Sequence, residues 1–388
     1  MEKLPIIILF LSHLWVDGSL GILPVIIAKM KEVFGLSYLQ AGLFMTIMNV
    51  TSSVIQPGFG YITDRFKLGW FIPVGMLWTS VIIGLIGWSP DYLSALIIVG
   101  LSGFGTAAFH PCAMTAVYLV SGTHRGLGSA VFNTGGHLGF ALGPVIGSFL
   151  IFRFGLHGTI GLMFPALLLF FFIFFYSGDL LHREEVVKSN SGSDSGKGPY
   201  TVPYISITIV CLIITIRSWI YISFLTYLPM FFQTRGVHLK TGSLMLTTFL
   251  IGGAIAGLYG GHLSDQIGRR KVVAVSMILF SVITSLFLIS SGPLLWVLVG
   301  ASGAALLASF SVTIVMAQEL LPHRLGLASG LALGLGFGTG GLGAALSGYL
   351  SDMFGLYTTF WILTLVSLLG ALLAAMVKTR PQIANDGI

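Results

Sequence analysis

The chain has 388 residues, of which 55% are hydrophobic and 8% charged, with a mean hydropathy of +0.96. A water-soluble domain carries about a quarter charged residues, so this composition excludes a soluble enzyme or a soluble binding module. The net charge of +6 and the isoelectric point near 9.3 come from cationic loops flanking apolar segments, so no nucleic-acid partner is expected.

Apolar runs of about twenty residues, the length that crosses a bilayer as a helix, recur from Pro5 to Val377. In chain order they predict spans near 6–28, 39–62, 70–88, 92–120, 126–151, 158–176, 203–232, 241–263, 272–290, 294–320, 326–350 and 358–377. The expected fold is therefore an all-α membrane protein of twelve transmembrane helices, embedded in the lipid bilayer. The first run has no small-residue cleavage site after it and reads as a retained helix rather than a signal peptide. Cys112 and Cys211 both fall inside apolar runs, where buried single thiols are expected rather than a disulfide. One long polar stretch, "GDLLHREEVVKSNSGSDSGKG" (Gly178 to Gly198), reads as a flexible linker. It divides the chain into a six-helix bundle over 1–178, a linker over 179–199 and a second six-helix bundle over 200–388.

Cationic loops are retained in the cytoplasm, and the 19 Lys and Arg residues are unevenly placed. Arg217 lies within a span, and Lys29, Lys31, Arg153, Arg235 and Lys240 lie on one side, which leaves 19 less six, or thirteen, on the other. Both termini are accordingly expected in the cytoplasm.

The two halves repeat each other. "GYITDRFKLG" (Gly60 to Gly69) is matched by "GGHLSDQIGRRK" (Gly260 to Lys271), and "HRGLGSAVFNTGGHLGFALGPVIG" (His124 to Gly147) by "HRLGLASGLALGLGFGTGGLGAALSG" (His323 to Gly348). A duplicated six-helix unit is the signature of a transporter whose bundles rock around a central site. Asp64 and Asp265, near helix ends, can cap backbone and pair with Arg65, Arg269 and Arg270, giving a cytoplasmic latch that opens as the bundles part; a plain cationic loop is the alternative. Glu319 and Arg324, beside Pro322, extend the same latch.

A charge at mid-bilayer costs about 2.5–3.5 kcal/mol on insertion scales, so intramembrane polar residues direct attention to function. His13 and Asp17 share a face at i and i+4, and Asp17 is either the proton carrier or a structural hydrogen-bond partner. His110, before Pro111, joins them as a candidate for proton coupling. Arg217 cannot discharge its guanidinium and calls for a carboxylate or an anionic ligand, unless it snorkels to an end of its helix. Tyr221 shares its face; Asn133 and His137, four apart on the fifth span, complete the candidate substrate-binding set. No metal-ligand spacing connects these residues, and no cofactor is expected beyond a proton gradient. No nucleophile motif or H-E-x-x-H is present, which argues against an intramembrane enzyme.

The G-x-x-x-D-R/Q-x-x-G-R-R pattern of both halves resembles the loop signature of the major facilitator superfamily. "GFALGPVIG", with Gly139, Gly143, Pro144 and Gly147, resembles the fifth-helix signature of that superfamily's proton antiporters; read without it, the same spacing permits close helix packing. "LSHLWVDG", "SSVIQPGFGYITDR", "GFGTAAFHP", "TGGHLGFALGP", "IRSW", "LSDQIGRR" and "QELLPHRLGLASGLALG" together resemble the fosmidomycin resistance branch, over nearly all of residues 11 to 356. The resemblance implies a major facilitator fold and a proton-driven exporter of a small anionic or amphiphilic solute or drug, with a proton-coupled importer of a small organic anion as the alternative. In that branch an acidic residue is expected after "FHP"; Cys112 stands there. Nothing in the sequence calls for an obligate oligomer, and a monomer is expected.

Overall fold

The computed structural model describes residues 3–65, 70–122, 124–176, 204–321 and 325–377. The predicted linker, Arg324, and the side chains of Asp64 and Arg65 lie outside the described residues. The described chain is helical throughout: α1 (Lys3–Gly21), α2 (Leu23–Phe34), α3 (Tyr38–Arg65), α4 (Phe71–Gly84), α5 (Tyr92–Val120), α6 (Arg125–Phe154), α7 (Met163–Tyr176), α8 (Tyr204–Thr234), α9 (Leu239–Ile267), α10 (Arg269–Ile289), α11 (Leu294–Leu307), α12 (Phe310–Leu320) and α13 (Leu325–Met376). Among the described residues, eleven stretches are long and apolar enough to span a membrane, and the last, Gly334–Met376, is interrupted at Gly355, whose φ of 80° breaks the helix into two passes. The predicted spans thus match in number and place.

Local chemistry sets the boundaries. Gly35 closes α2 in the left-handed conformation open to glycine, and its N–H returns to the Lys31 carbonyl. Asp91 and Ser94 form a reciprocal capping box at the start of α5, and the hydrogen bonds from Ser94 hold the Asp91 carboxyl below the usual carboxylate range. Pro57, Pro111, Pro144 and Pro229 lie inside helices; Pro144 and Pro229 are buried, where neighbouring helices surround the backbone they disturb, and Pro57 is exposed.

Packing reveals two bundles that share one core at one end and separate at the other. At the end bearing residues 35–37 and 235–238, Val25, Ile26, Phe44 and Met45 of the first half join Phe224, Tyr227, Phe231 and Phe249 of the second in a single apolar cluster. Toward the end where α1 begins, the cluster divides in two. Ile6, Leu9, Phe109 and Val117 pack within the first half, and Val210, Ile213, Met316 and Ala374 within the second.

The shared end is fastened by polar contacts across the bundles. Asp352 of α13 accepts hydrogen bonds from the Tyr38 and Leu39 backbone N–H groups at 2.7 and 2.8 Å, capping α3 from the opposite half. Tyr227 donates to the carbonyls of Tyr38 and Ala344, and Thr46 donates to the Gly341 carbonyl at 2.7 Å. On the other flank the Phe152 ring meets His238, and Lys240 lies 5.5 Å above it. A helix cap is worth about 1 kcal/mol, so Asp352→Ala should raise the population open at this end about fivefold. The check is the maleimide labelling rate of a cysteine placed at buried Met45, in a background lacking Cys112 and Cys211; an unchanged rate would remove Asp352 from the closure.

Candidate functional site

The site lies where the single core divides. On α1, His13 and Asp17 are both buried, and His13 Nε2 stands 3.1 Å from Asp17 Oδ2. His13 Nδ1 lies 2.9 Å from the Phe132 carbonyl, and the imidazole stacks on the Phe132 ring at 4.0 Å. A carbonyl only accepts, so Nδ1 carries hydrogen. The Nε2 contact with Asp17 then requires another, and the pair holds one proton between imidazole and carboxyl. His110, from α5, meets the His13 ring edge-on at 5.2 Å and places Nε2 3.7 Å from Asp17 Oδ1, too far for a hydrogen bond. Oδ1 is buried with no hydrogen bond, its nearest charged neighbour being that imidazole. Donor atoms of His13, Asp17 and His110 lie within 4.8 Å of one another, a convergence that sequence spacing hides because two helices supply it.

Glycines on α6 bring these elements together. A Cβ on Gly136 would lie 2.5 Å from His13 Nε2 and 2.6 Å from Asp17 Oδ2, so the pair rests directly on the α6 backbone. Gly139 meets Leu14 and Gly18, Gly143 meets Gly21, and Gly147 meets Ile22. The helix-five motif therefore acts here as the seat of α1, in backbone-to-backbone contact that larger residues would prevent. His137 is within electrostatic reach of Asp17, and Asn133 is exposed one turn earlier on α6.

Arg217 is 2% exposed, which rules out the snorkelling alternative. Its Nη2 donates to Ser218 Oγ at 3.1 Å, and its guanidinium lies 4.3 Å above the Phe310 ring, while Nε and Nη1 have no hydrogen-bond partner. Arg217, Ser218, Tyr221, Phe310, Gly336 and Phe337 border a narrow recess. Tyr221, one turn along α8 from Arg217, borders the same recess and is within electrostatic reach of both Arg217 and Asp17. Phe310 gave no sequence signal of its own. It begins α12 after the break at Ala308–Ser309, and that break aims its ring under the guanidinium.

Three expected residues of the latch meet in the second half: Arg269 pairs with Asp265 at 2.5 Å and with Glu319 at 3.1 Å. Arg270 instead donates to the Ala375 carbonyl of α13. These described contacts tie α9, α10, α12 and α13 together inside one bundle, and none of them crosses to the other. Cys112 is buried in one apolar cluster with Ile8, Leu9, Phe109 and Ala113.

The profile of the Major Facilitator Superfamily matches residues 9–244 and 210–387. The chain belongs to the major facilitator superfamily. This facilitator is 31% identical over 377 residues to the uncharacterized MFS-type transporter YfnC of Bacillus subtilis, covering 95% of this chain and 91% of that one. It is 29% identical over 367 residues to the fosmidomycin resistance protein of Escherichia coli, covering 93% and 90%. The hexuronate transporter of Bacillus subtilis is 26% identical over 421 residues, covering 99% and 96%. Among solved structures, a bacterial homologue of the human lysosomal transporter Spinster, in an inward-facing and occupied conformation, superposes with a TM-score of 0.81 at 12% identity, over 96% of each chain. This facilitator is thus a multi-pass membrane transport protein for small molecules rather than an enzyme.

Proposed function

We propose that the protein is an antiporter of the bacterial inner membrane that exports a small anionic or amphiphilic solute against proton entry, by alternating access. The observation that carries this reading is Arg217, a buried guanidinium with two unpartnered nitrogens at the edge of a recess. A buried charge persists only with a partner or a ligand, and a fixed cation selects an anion. The gap between the bundles opens toward the end where α1 begins, which the distribution of Lys and Arg assigns to the cytoplasm. Cargo from the cytoplasm enters at that gap, the fastened end parts, and the cargo leaves on the other side. The His13–Asp17 pair, holding one proton at the level where the core divides, supplies the coupling site, with His110 and His137 beside it. Likeness to the fosmidomycin resistance protein supports export and an anionic cargo.

Asp17→Asn should abolish uphill flux driven by a pH gradient while leaving exchange of cargo for cargo within about twofold of wild type. Inverted vesicles holding a pH gradient, with fosmidomycin and then small organic anions added, give both readouts. Gradient-driven flux that survives in Asp17→Asn would remove Asp17 from the coupling. Import of an organic anion with protons is the second reading, favoured by the relative named for hexuronate. Direction of net flux in the same vesicles separates the two.

A further inference from the structure

Nitrogen and oxygen donors from two helices converge inside the first bundle without sharing a sequence motif. Donor atoms of His13 and Asp17 on α1 and of His110 on α5 lie within 4.8 Å of one another. His13 Nε2 is 3.1 Å from Asp17 Oδ2, and His110 Nε2 is 3.7 Å from Asp17 Oδ1. Donors held about 2.0–2.2 Å from a tetrahedral zinc ion stand about 3.4 Å apart, so the two separations bracket what such an ion requires.

The surroundings suit a set of ligands. His13 Nδ1 donates its hydrogen to the Phe132 carbonyl and the ring is stacked on Phe132 at 4.0 Å, which holds Nε2 toward Asp17. A ring N–H bound to a backbone carbonyl is the usual outer support of a metal-ligating histidine, because it fixes the tautomer and leaves the other nitrogen to the ion. Asp17 Oδ1 is buried without a hydrogen bond, and the His110 nitrogen that faces it is too distant to supply one. An ion between those two atoms would bond both. The two imidazoles meet edge-on at 5.2 Å, so they direct nitrogens at one carboxylate without stacking on each other. The cluster is open at His110, whose side chain is 26% exposed. His137 and Tyr221 are within electrostatic reach of Asp17 but outside the cluster, which leaves three protein ligands and one free position.

We infer that His13, Asp17 and His110 form a binding site for a divalent transition-metal ion of the zinc class. Two imidazoles and a carboxylate suit zinc or nickel, whereas magnesium and calcium call for oxygen donors. As the ion binds, His13 Nε2 exchanges its hydrogen for the metal and one proton leaves, so the ion takes the place of the proton shared with Asp17. The site stands on geometry alone. Its consequence, that zinc competes with the coupling proton, rests on the reading of His13–Asp17 as the coupling site.

The full chain, without a histidine tag and held in nanodiscs at pH 7, is titrated with Zn²⁺ against a chromogenic zinc indicator, while proton release is followed in weakly buffered solution. The wild type should take up one Zn²⁺ per chain, release at least one proton with it, and keep the ion in excess Mg²⁺. Loss of an outer support costs about 10–100-fold in metal affinity, so removing a ligand in His110→Gln should raise Kd at least about tenfold. His262→Gln, at an exposed histidine of α9, should leave Kd unchanged. Failure of the folded wild type to bind Zn²⁺ overturns the site, as does binding that is lost in His262→Gln and kept in His110→Gln. Uptake that depends on His110 yet releases no proton leaves the metal site standing and overturns the exchange with the shared proton.

Discussion

Arg217→Met should abolish recognition of anionic cargo and at the same time make the empty protein more stable. The two effects have one cause. The guanidinium is 2% exposed, donates to Ser218 Oγ and lies over the Phe310 ring, yet two of its nitrogens have no partner. Removing a charged group from water costs several kcal/mol, and neither one neutral hydrogen bond nor one aromatic face offsets that fully. Methionine, of similar length and apolar, fits the Phe310, Ile314 and Phe337 walls without the penalty. The empty variant should gain about 1–4 kcal/mol, the range by which replacing buried ionic groups with well-packed apolar ones stabilises a protein. With anionic cargo, charge-assisted hydrogen bonds of about 1.5–3 kcal/mol each are lost, so affinity should fall at least about 30-fold. Neutral cargo of similar size should lose little. Thermal unfolding with and without ligand measures both effects on one sample. If the empty variant melts well below wild type, Arg217 is a structural residue with an anchoring role, and the anion seat must be sought elsewhere.

This arrangement was partly legible in the sequence, and the boundary of legibility has a physical cause. The spans were readable because a bilayer demands about twenty apolar residues in a row, a local property. Asp17 and Arg217 stood out because charge in such a run is unfavourable, again locally. His13 beside Asp17 followed from helical periodicity alone. Phe310 could not be found in this way, since an aromatic residue in an apolar run carries no contrast, and only the tertiary fold places it under a guanidinium. Gly136 lay next to the helix-five motif but outside its four-residue spacing, so its contact with the ion pair appeared only once α1 and α6 were docked. Asp352 was hidden for another reason: a carboxylate at a span end is ordinary, and nothing local reveals that it caps a helix 314 positions away in the chain. The cluster that Cys112 joins was likewise not legible, because a sequence motif fixes adjacency but not facing. The repeat of the two halves, legible in the sequence, extends to these contacts: Gly136 against Asp17 in the first half and Gly336 beside Arg217 in the second, each 200 residues on.

The same repeat yields a sharp contrast between two chemically identical substitutions. In the first half, an alanine at Gly136 would drive its Cβ to 2.5 Å from His13 Nε2 and 2.6 Å from Asp17 Oδ2. Neither neighbour has an easy retreat, because His13 is stacked on Phe132 and tied to its carbonyl, and α1 is pressed backbone to backbone on α6 at Gly139 and Gly143. Overpacking of this kind costs about 1–3 kcal/mol, and the softest response is rotation of Asp17 away from His13. Gly136→Ala should therefore fold, melt a few degrees lower, and lose gradient-driven flux as Asp17→Asn does, though its carboxylate is intact. In the second half the equivalent Cβ on Gly336 would meet Ser218 Oγ at 3.3 Å and Arg217 Nη2 at 3.8 Å, so Gly336→Ala should keep wild-type coupling. Gly334→Ala, into open space, controls for helix propensity, which alone favours alanine. Coupled flux and melting temperature of the three variants, measured side by side, test whether the His13–Asp17 contact itself carries the proton. Wild-type coupling in Gly136→Ala would mean that the contact is dispensable, and the carrier would then have to be Asp17 acting without its histidine.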